Sequence, residues 1–117
     1  MGRATADAAD AGGGKVIAAV AARRAEIAAL CRRFHVARLD LFGSAARGTD
    51  FEPDRSDLDF LVEYQPGHTP SLDEYMDLRD ALTVLGGRKV DLVMASSLRN
   101  PFLRAAIERS REAIYDP

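Results

Sequence analysis

The sequence predicts an α+β domain in which three main strands are flanked by helices. Pattern, length and composition support this prediction. Segments that alternate apolar and polar residues, as strands do, are interleaved with segments whose apolar residues recur at helical spacing. The length of 117 residues suits one domain. A hydrophobic fraction of 47% and a charged fraction of 29% are typical of a soluble globular protein.

The N-terminal part of the chain is predicted to contain a tail and a helix. Residues 1–14 are rich in Ala, Gly and Asp and have little to bury, so we expect them to be disordered and place the domain at residues 15–117. From residue 15 to about residue 34, apolar side chains recur along one stripe of a helix. The stripe consists of Val16, Val20, Ile27, Cys31 and Phe34.

The middle of the chain is predicted to form two strands separated by a turn and a loop. Residues 36–42 (VARLDLF) alternate and end at a glycine, and residues 44–48 suffice for a single helical turn. Residues 49–57 contain a proline and four acidic residues and are predicted to be a loop. Residues 58–64 (LDFLVEY) are the second strand, with alternate apolar residues on one face.

The C-terminal part is predicted to contain two helices and a third strand. The first helix begins with the capping-box spacing of Ser71 and Glu74 and ends at a pair of glycines. Residues 89–94 (KVDLVM) are the strand. The second helix starts at residue 100, where an N-cap Asn is followed by Pro. Residues 113–115 are either a short terminal strand or a docked tail.

Charge and composition limit the classes of function. The 16 Lys and Arg residues against 18 Asp and Glu residues give a net charge of -2, which argues against nucleic-acid binding through a broad basic face. The single cysteine, Cys31, excludes an internal disulfide. No apolar run reaches the ~20 residues of a membrane span, and the N-terminus lacks the apolar segment of a secretory signal. We therefore expect a cytoplasmic protein that has no membrane partner and binds no nucleic acid stably.

Three carboxylates in the last two strands predict a metal site. Asp57 and Asp59 are separated by one residue at the start of the second strand, so their side chains point to the same side, roughly 6–7 Å apart. Asp91, inside the third strand, can add a third carboxylate. Mg²⁺ prefers oxygen ligands, and three carboxylates around two Mg²⁺ ions suit in-line displacement at phosphorus. In isolation, an Asp-x-Asp at a strand start more often caps a turn or faces solvent.

The junction at Gly43-Ser44 is a candidate phosphate-binding element. Glycine permits close approach of the backbone, and both the amides of the following turn and the Ser44 hydroxyl can donate hydrogen bonds to an anion. Arg47 can add charge-assisted hydrogen bonds. In isolation, the same residues also describe an ordinary strand-to-turn junction with Ser44 as N-cap.

Together, three motifs resemble one family. They are LFGSAARG at residues 41–48, SDLDFLV at residues 56–62 and VDLV at residues 90–93. They are similar to the Gly-Ser, Arg-Gly, Asp-x-Asp and later Asp of the nucleotidyltransferase superfamily related to DNA polymerase β. More narrowly, the chain resembles the minimal nucleotidyltransferases (MNT), the antitoxins of HEPN/MNT toxin–antitoxin pairs. The resemblance covers roughly residues 39–115.

This resemblance implies a three-stranded mixed β-sheet flanked by helices, the polymerase β-like catalytic core. It implies that Gly43 and Ser44 bind a nucleoside triphosphate, taken to be ATP, and that Arg47 lies beside them in the nucleotide-binding site. Metal binding and catalysis then belong to the three carboxylates, with two Mg²⁺ ions expected: Asp57, Asp59 and Asp91. The last of them would also help to activate the acceptor hydroxyl.

The expected reaction is transfer of AMP from ATP to a hydroxyl, with release of pyrophosphate. Because the catalytic core takes up nearly the whole sequence, we expect the acceptor surface to come from a second molecule. By resemblance this is a HEPN ribonuclease toxin, adenylylated on a tyrosine within a hetero-oligomer. Two alternatives stay open: an antitoxin that neutralises its toxin by binding alone, and a nucleotidyltransferase that acts on a small molecule.

The remaining polar and apolar residues of interest receive structural interpretations. We expect His35 and His68 to lie on the surface or in loops, and Asp40 to form an ion pair with Arg38 or Arg47. One apolar group is expected to pack mainly on the domain's own sheet, with part of it shielded by a helical partner: Phe102, Leu103, Ile107, Ile114 and Tyr115.

Overall fold

The structure, a computed structural model, describes residues 18–47 and 57–117, and at Ser44 and Arg47 the backbone alone. The helices are α1 (Ala18–Ala21), α2 (Arg24–Arg33), α3 (Ser44–Arg47), α4 (Leu72–Gly86) and α5 (Pro101–Ser110). The strands are β1 (Val36–Phe42), β2 (Leu58–Tyr64), β3 (Val90–Met94) and β4 (Glu112–Tyr115), and a 3₁₀ turn spans Ala95–Ser97. The expected tail at residues 1–14 and nearly all of the expected loop at residues 49–57 lie outside the described residues.

The strands form one mixed sheet in the order β3-β2-β1-β4. β1 is antiparallel to both of its neighbours, whereas β2 and β3 are parallel. The mixed sheet is as predicted, but it has four strands rather than three. The fourth strand is one of the two options that the sequence left for residues 113–115. Its pairing covers the edge of β1, whose backbone groups would otherwise lack partners.

The first predicted helix is interrupted, which corrects the expectation of a continuous helix. A turn at residues 22–23 separates α1 from α2, and the Arg23 N–H donates to the Val20 carbonyl three residues back. The side chain of Arg23 caps nothing at the start of α2. The apolar stripe is nevertheless confirmed within the described residues, because Val20, Ile27 and Cys31 are all buried.

The later helices begin where the sequence predicts. Ser71 Oγ accepts from the Glu74 N–H at 3.1 Å, and Glu74 Oε1 accepts from the Ser71 N–H at 2.9 Å, which completes the capping box. At the start of α5, Asn100 Oδ1 accepts from the N–H of Phe102 at 2.8 Å. These bonds satisfy amides that have no partner inside the helix.

The two faces of the sheet differ in polarity. Alternate residues of β1, β2 and β3 form the apolar face together with α2 and α4, and this face holds most of the core: Leu39, Leu41, Leu58, Phe60, Val62, Leu78, Leu82, Val90 and Leu92. The polar face carries the aspartates and is partly covered by α5. No helix among the described residues is long and apolar enough to cross a membrane.

Burial in α5 and β4 divides the apolar group for which the sequence predicted a helical partner. Ile107 and Ile114 are buried in the domain itself, at 1% and 7% exposure. Phe102 and Leu103 are 84% and 41% exposed. The expectation that this group packs mainly on the domain's own sheet is therefore confirmed for the two isoleucines. Within this group, Phe102 and Leu103 are the residues that offer substantial apolar surface to another molecule.

Candidate active site

The topology brings three strand ends to one edge of the sheet. Because β1 is antiparallel to β2, its last residue, Phe42, pairs with Asp59 near the start of β2. Because β3 is parallel to β2, Asp91 near its start also pairs with Asp59. Paired residues of neighbouring strands place their side chains on the same face. Asp59 and Asp91 are therefore neighbours, with Gly43 next to them at the end of β1.

Alternation along β2 directs these carboxylates away from the core. Leu58 and Phe60 are buried on the apolar face, so Asp59 between them points to the polar face, as does Asp57 two residues earlier. Asp59 is partly buried, whereas Asp91 is exposed. The structure thus brings the three predicted carboxylates to one edge and one face.

Gly43 and Asp59 touch in a way that only glycine allows. Gly43 has a φ of +75°, in the left-handed region that side chains rarely occupy. A Cβ atom at this position would lie 2.7 Å from Asp59 Oδ2. The turn therefore needs glycine both for its backbone conformation and for the space that the carboxylate fills.

The electrostatics of the cluster are those of crowded carboxylates. Burial, then the charge of Asp91, then that of Asp57 raise the pKa of Asp59 from 3.8 to about 6. Lys89 Nζ lies 4.0 Å from Asp57 Oδ2, but the Lys89 side chain is 79% exposed and that of Asp57 42%, so this pair compensates little charge. A cation bound at this edge would relieve the repulsion.

The donor set is compatible with Mg²⁺ that is shared with a phosphate ligand. Within residues 18–47 and 57–117, no group of three or more carboxylate, His or Cys side chains is placed so that it could hold a metal ion. Mg²⁺ does not need three protein ligands, since it is commonly held by one or two carboxylates together with waters and substrate phosphates. Asp57 and Asp59 supply such a pair.

The path of the backbone brings Ser44 and Arg47 beside this edge of the sheet. Helix α3 begins at Ser44, directly after Gly43, and ends at Arg47. The Ala46 N–H donates to the Gly43 carbonyl at 3.1 Å, and the buried side chains of Ala45 and Ala46 anchor the turn in the core. Nucleotide binding by Ser44 and Arg47 remains a prediction.

Two contacts near the site were missed by the sequence. Ser110 Oγ, at the end of α5, accepts from the Gly43 N–H at 3.1 Å. Asp40 pairs with Arg38, as expected, and its second described partner is Arg111, which the sequence did not indicate. Ser110 and Arg111 lie about 70 residues from their partners and carry no local motif, so no sequence signal indicated them.

The family of the chain follows from comparison with known proteins. Residues 26–114 match the model of the nucleotidyltransferase domain family. The chain therefore belongs to the nucleotidyltransferase family. It is similar to the protein adenylyltransferase MntA of Thermococcus cleftensis, with 38% identity over 86 residues that cover 74% of this chain and 80% of MntA. MJ1379 of Methanocaldococcus jannaschii, provisionally named a protein adenylyltransferase, is 40% identical over 76 residues that cover 65% of this chain and 74% of MJ1379.

Solved structures place the chain among the minimal nucleotidyltransferases. A protein provisionally described as one is 40% identical, with a TM-score of 0.62 over 78% of this chain and 88% of that chain. The same fold occurs in a complex of tri-AMPylated Shewanella oneidensis HEPN toxin with MNT antitoxin, at 19% identity and a TM-score of 0.60 over 84% of this chain and 73% of that chain. It also occurs in a toxin–antitoxin complex with AMP-PNP, at 23% identity and a TM-score of 0.63 over 80% of this chain and 73% of that chain. The chain is thus an enzyme with nucleotidyltransferase activity.

Proposed function

We propose that this protein is a Mg²⁺-dependent adenylyltransferase that transfers AMP from ATP to a hydroxyl of a HEPN ribonuclease toxin and is the antitoxin of that toxin. The observation that carries the proposal is the meeting of Gly43, Asp59 and Asp91 at one edge of the sheet. The protein adenylyltransferase name of MntA supports the reaction, and the complex of an AMPylated HEPN toxin with an MNT antitoxin supports the partner. Both proteins would act in the cytoplasm.

The turn at Gly43 is suited to hold the triphosphate, because its backbone can approach a phosphate without a side chain between them. Ser44 and Arg47 are proposed to donate hydrogen bonds to the phosphate oxygens. Asp57 and Asp59 would hold Mg²⁺, with Asp91 as a third carboxylate. When bound, the metal supplies positive charge that stabilises the charge developing on the leaving pyrophosphate.

Asp91 is proposed to receive the acceptor, and its exposure beside the partly buried Asp59 supports this role. The hydroxyl oxygen of the acceptor forms a bond to the α-phosphorus of ATP. The bond from the α-phosphorus to the oxygen that bridges to the β-phosphate breaks, and its electron pair leaves with pyrophosphate. The proton of the hydroxyl passes to the Asp91 carboxylate.

The exposed apolar residues of α5 are proposed to bind the partner. Phe102 and Leu103 lie at the start of this helix, and Ser110 at its end contacts Gly43. A helix of this length spans about 15 Å. A partner that packs on the start of α5 would therefore lie within reach of the carboxylates.

Co-expression with a candidate HEPN toxin from the same genome tests the proposal. We expect the toxin to gain the mass of one or more AMP groups by intact-protein mass spectrometry, and to gain none with an Asp59→Asn variant. If the variant protected cells as well as the parent protein, the protein would be a binding antitoxin. If the toxin stayed unmodified while a small hydroxyl compound was adenylylated, the small-molecule alternative would hold.

A further inference from the structure

Asp40 is a buried carboxylate on the polar face of the sheet, outside the candidate site. Among the described residues it is the only charged or polar one that is buried, at 0% exposure. Arg38 Nε lies 3.0 and 3.2 Å from its two oxygens. Arg111 Nε donates to Oδ2 at 2.8 Å, and a second nitrogen of the same guanidinium donates to the same oxygen. Asp40 thus links β1 to the residue that follows α5.

This ion pair is a poor candidate for a purely stabilising element. Removing two charges from water costs free energy that their attraction often does not recover, so apolar replacements can be equally stable. A guanidinium that donates two hydrogen bonds to one carboxylate does, however, restrict the relative position of the two chain segments. The expected effect of the pair is therefore on geometry.

Ser110, the residue before Arg111, contacts the same strand at its end. Its Oγ accepts from the Gly43 N–H at 3.1 Å and lies 3.3 Å from the Ala106 carbonyl, to which its hydroxyl donates. Two consecutive residues, Ser110 and Arg111, thus hold the turn after β1 at Gly43 and β1 itself at Asp40, three residues earlier. The end of β1 cannot move relative to α5 without breaking one of these contacts.

The position of Gly43 matters because Asp59 leaves it little room. The Gly43 backbone is so close to this carboxylate that an added Cβ atom would lie 2.7 Å from Oδ2. A shift of the turn by a few tenths of an ångström would change the space in which the Asp59 carboxylate and a bound phosphate lie. A misplacement of about 1 Å can cost an enzyme 10²-fold in rate.

We infer that Asp40, Ser110 and Arg111 form a clamp that sets the position of the Gly43 turn against the Asp59 carboxylate. They are positioning residues and need not touch the nucleotide. The consequence for catalysis rests on the proposed function, whereas the consequence for the Gly43 amide does not. The clamp also assigns a role to the end of α5, which joins the proposed partner surface to the site.

Substitution of Ser110 tests the clamp. In Ser110→Ala the Gly43 amide loses its acceptor, so its proton resonance should move upfield in the ¹H–¹⁵N spectrum of the metal-free protein. We expect kcat for AMP transfer to fall about 10- to 100-fold, and KM for ATP to change by a smaller factor. Ser110→Thr, which keeps the hydroxyl, should restore both. Thr83→Val is the matched control, because Thr83 Oγ1 likewise donates to a carbonyl four residues back, in α4.

The outcomes separate the clamp from the proposed function. Wild-type activity in a folded Ser110→Ala protein, or an unmoved Gly43 resonance, would overturn the clamp and leave the transferase intact. A wild-type protein without transferase activity would overturn the proposed function, while the Gly43 resonance would still report on the clamp. Should Ser110→Ala fail to fold, the double variant Asp40→Asn/Arg111→Gln, which removes both charges together, must move the same resonance for the inference to stand.

Discussion

Replacing Asp59 by asparagine should stabilise the metal-free protein and at the same time greatly reduce catalysis. The side chain keeps its shape but loses the charge that burial and two neighbouring carboxylates disfavour. A residue retained only for folding would show the opposite effect on stability. The substitution therefore distinguishes a site that holds charges for function from a structural carboxylate.

The direction of the pH dependence follows from the pKa of Asp59, which burial and the charges of Asp91 and Asp57 raise to about 6 from 3.8. Between these two values the folded protein keeps a proton that the unfolded chain has lost. The free energy of unfolding of the wild type therefore decreases as pH rises through this interval, and the penalty is complete above it. Asparagine carries no such penalty.

The size of the stabilisation by Asp59→Asn is set by the same pH interval. Each pH unit between two pKa values corresponds to about 1.4 kcal/mol, so the interval from 3.8 to about 6 corresponds to at most about 3 kcal/mol. Solvent screening of this partly exposed carboxylate reduces the expected gain to about 1–2 kcal/mol. A gain of that size raises the melting temperature of a domain of this length by roughly 4–10 °C.

Denaturant unfolding from pH 4 to pH 8, in EDTA, measures the effect. We expect Asp59→Asn to be more stable than the wild type at pH 8 and equally stable near pH 4. The control is Glu63→Gln, which removes an exposed carboxylate from the same strand and should change stability little at either pH. Transferase activity of Asp59→Asn should fall by roughly 10²–10³. Equal or lower stability of Asp59→Asn at pH 8 would refute the argument from crowded carboxylates.

Four further predictions follow from single features. Gly43→Ala should lower the free energy of unfolding by about 1–2 kcal/mol from the left-handed backbone alone. It should also lose activity, because its Cβ atom displaces Asp59. Wild-type activity in a variant whose calorimetric unfolding matches that of the wild type would contradict the contact. ATP affinity measured by calorimetry should drop when EDTA replaces Mg²⁺, and equal affinities would contradict the proposed metal site. Phe102→Ala should weaken co-purification of the toxin, whereas Val84→Ala, at an equally exposed position, should not. Ser71→Ala should cost about 1 kcal/mol through the lost cap without altering activity, as thermal unfolding and the transfer assay would show.

Local features of the fold were predictable because they depend on neighbouring residues. Alternation placed β1 at residues 36–42, and the structure has it at Val36–Phe42. The capping residues Ser71 and Asn100 marked the starts of α4 and α5, since a helix start depends on a side chain two or three residues away. The common orientation of Asp57 and Asp59 follows from the period of a strand in the same way.

Features that depend on packing were not predictable. Among the apolar residues of α4, Leu72 and Met76 are 71% and 37% exposed, whereas Leu78 is fully buried. Helical periodicity identifies an apolar stripe, whereas the angle at which the helix meets the sheet decides which residues of the stripe are covered. Likewise, β4 is a strand only because the edge of β1 is available to pair with it.

For the candidate site, the sequence by itself determined the chemical groups: a glycine turn, a same-side pair of carboxylates and a third carboxylate in the next strand. The tertiary structure alone decided that Gly43 touches Asp59, that Asp91 pairs with it, and that Ser110 accepts from the Gly43 amide. The reason is physical. Side-chain direction within one element follows from its period, whereas a contact between elements depends on strand order, register and helix placement, and these are set by how the whole chain buries its apolar residues.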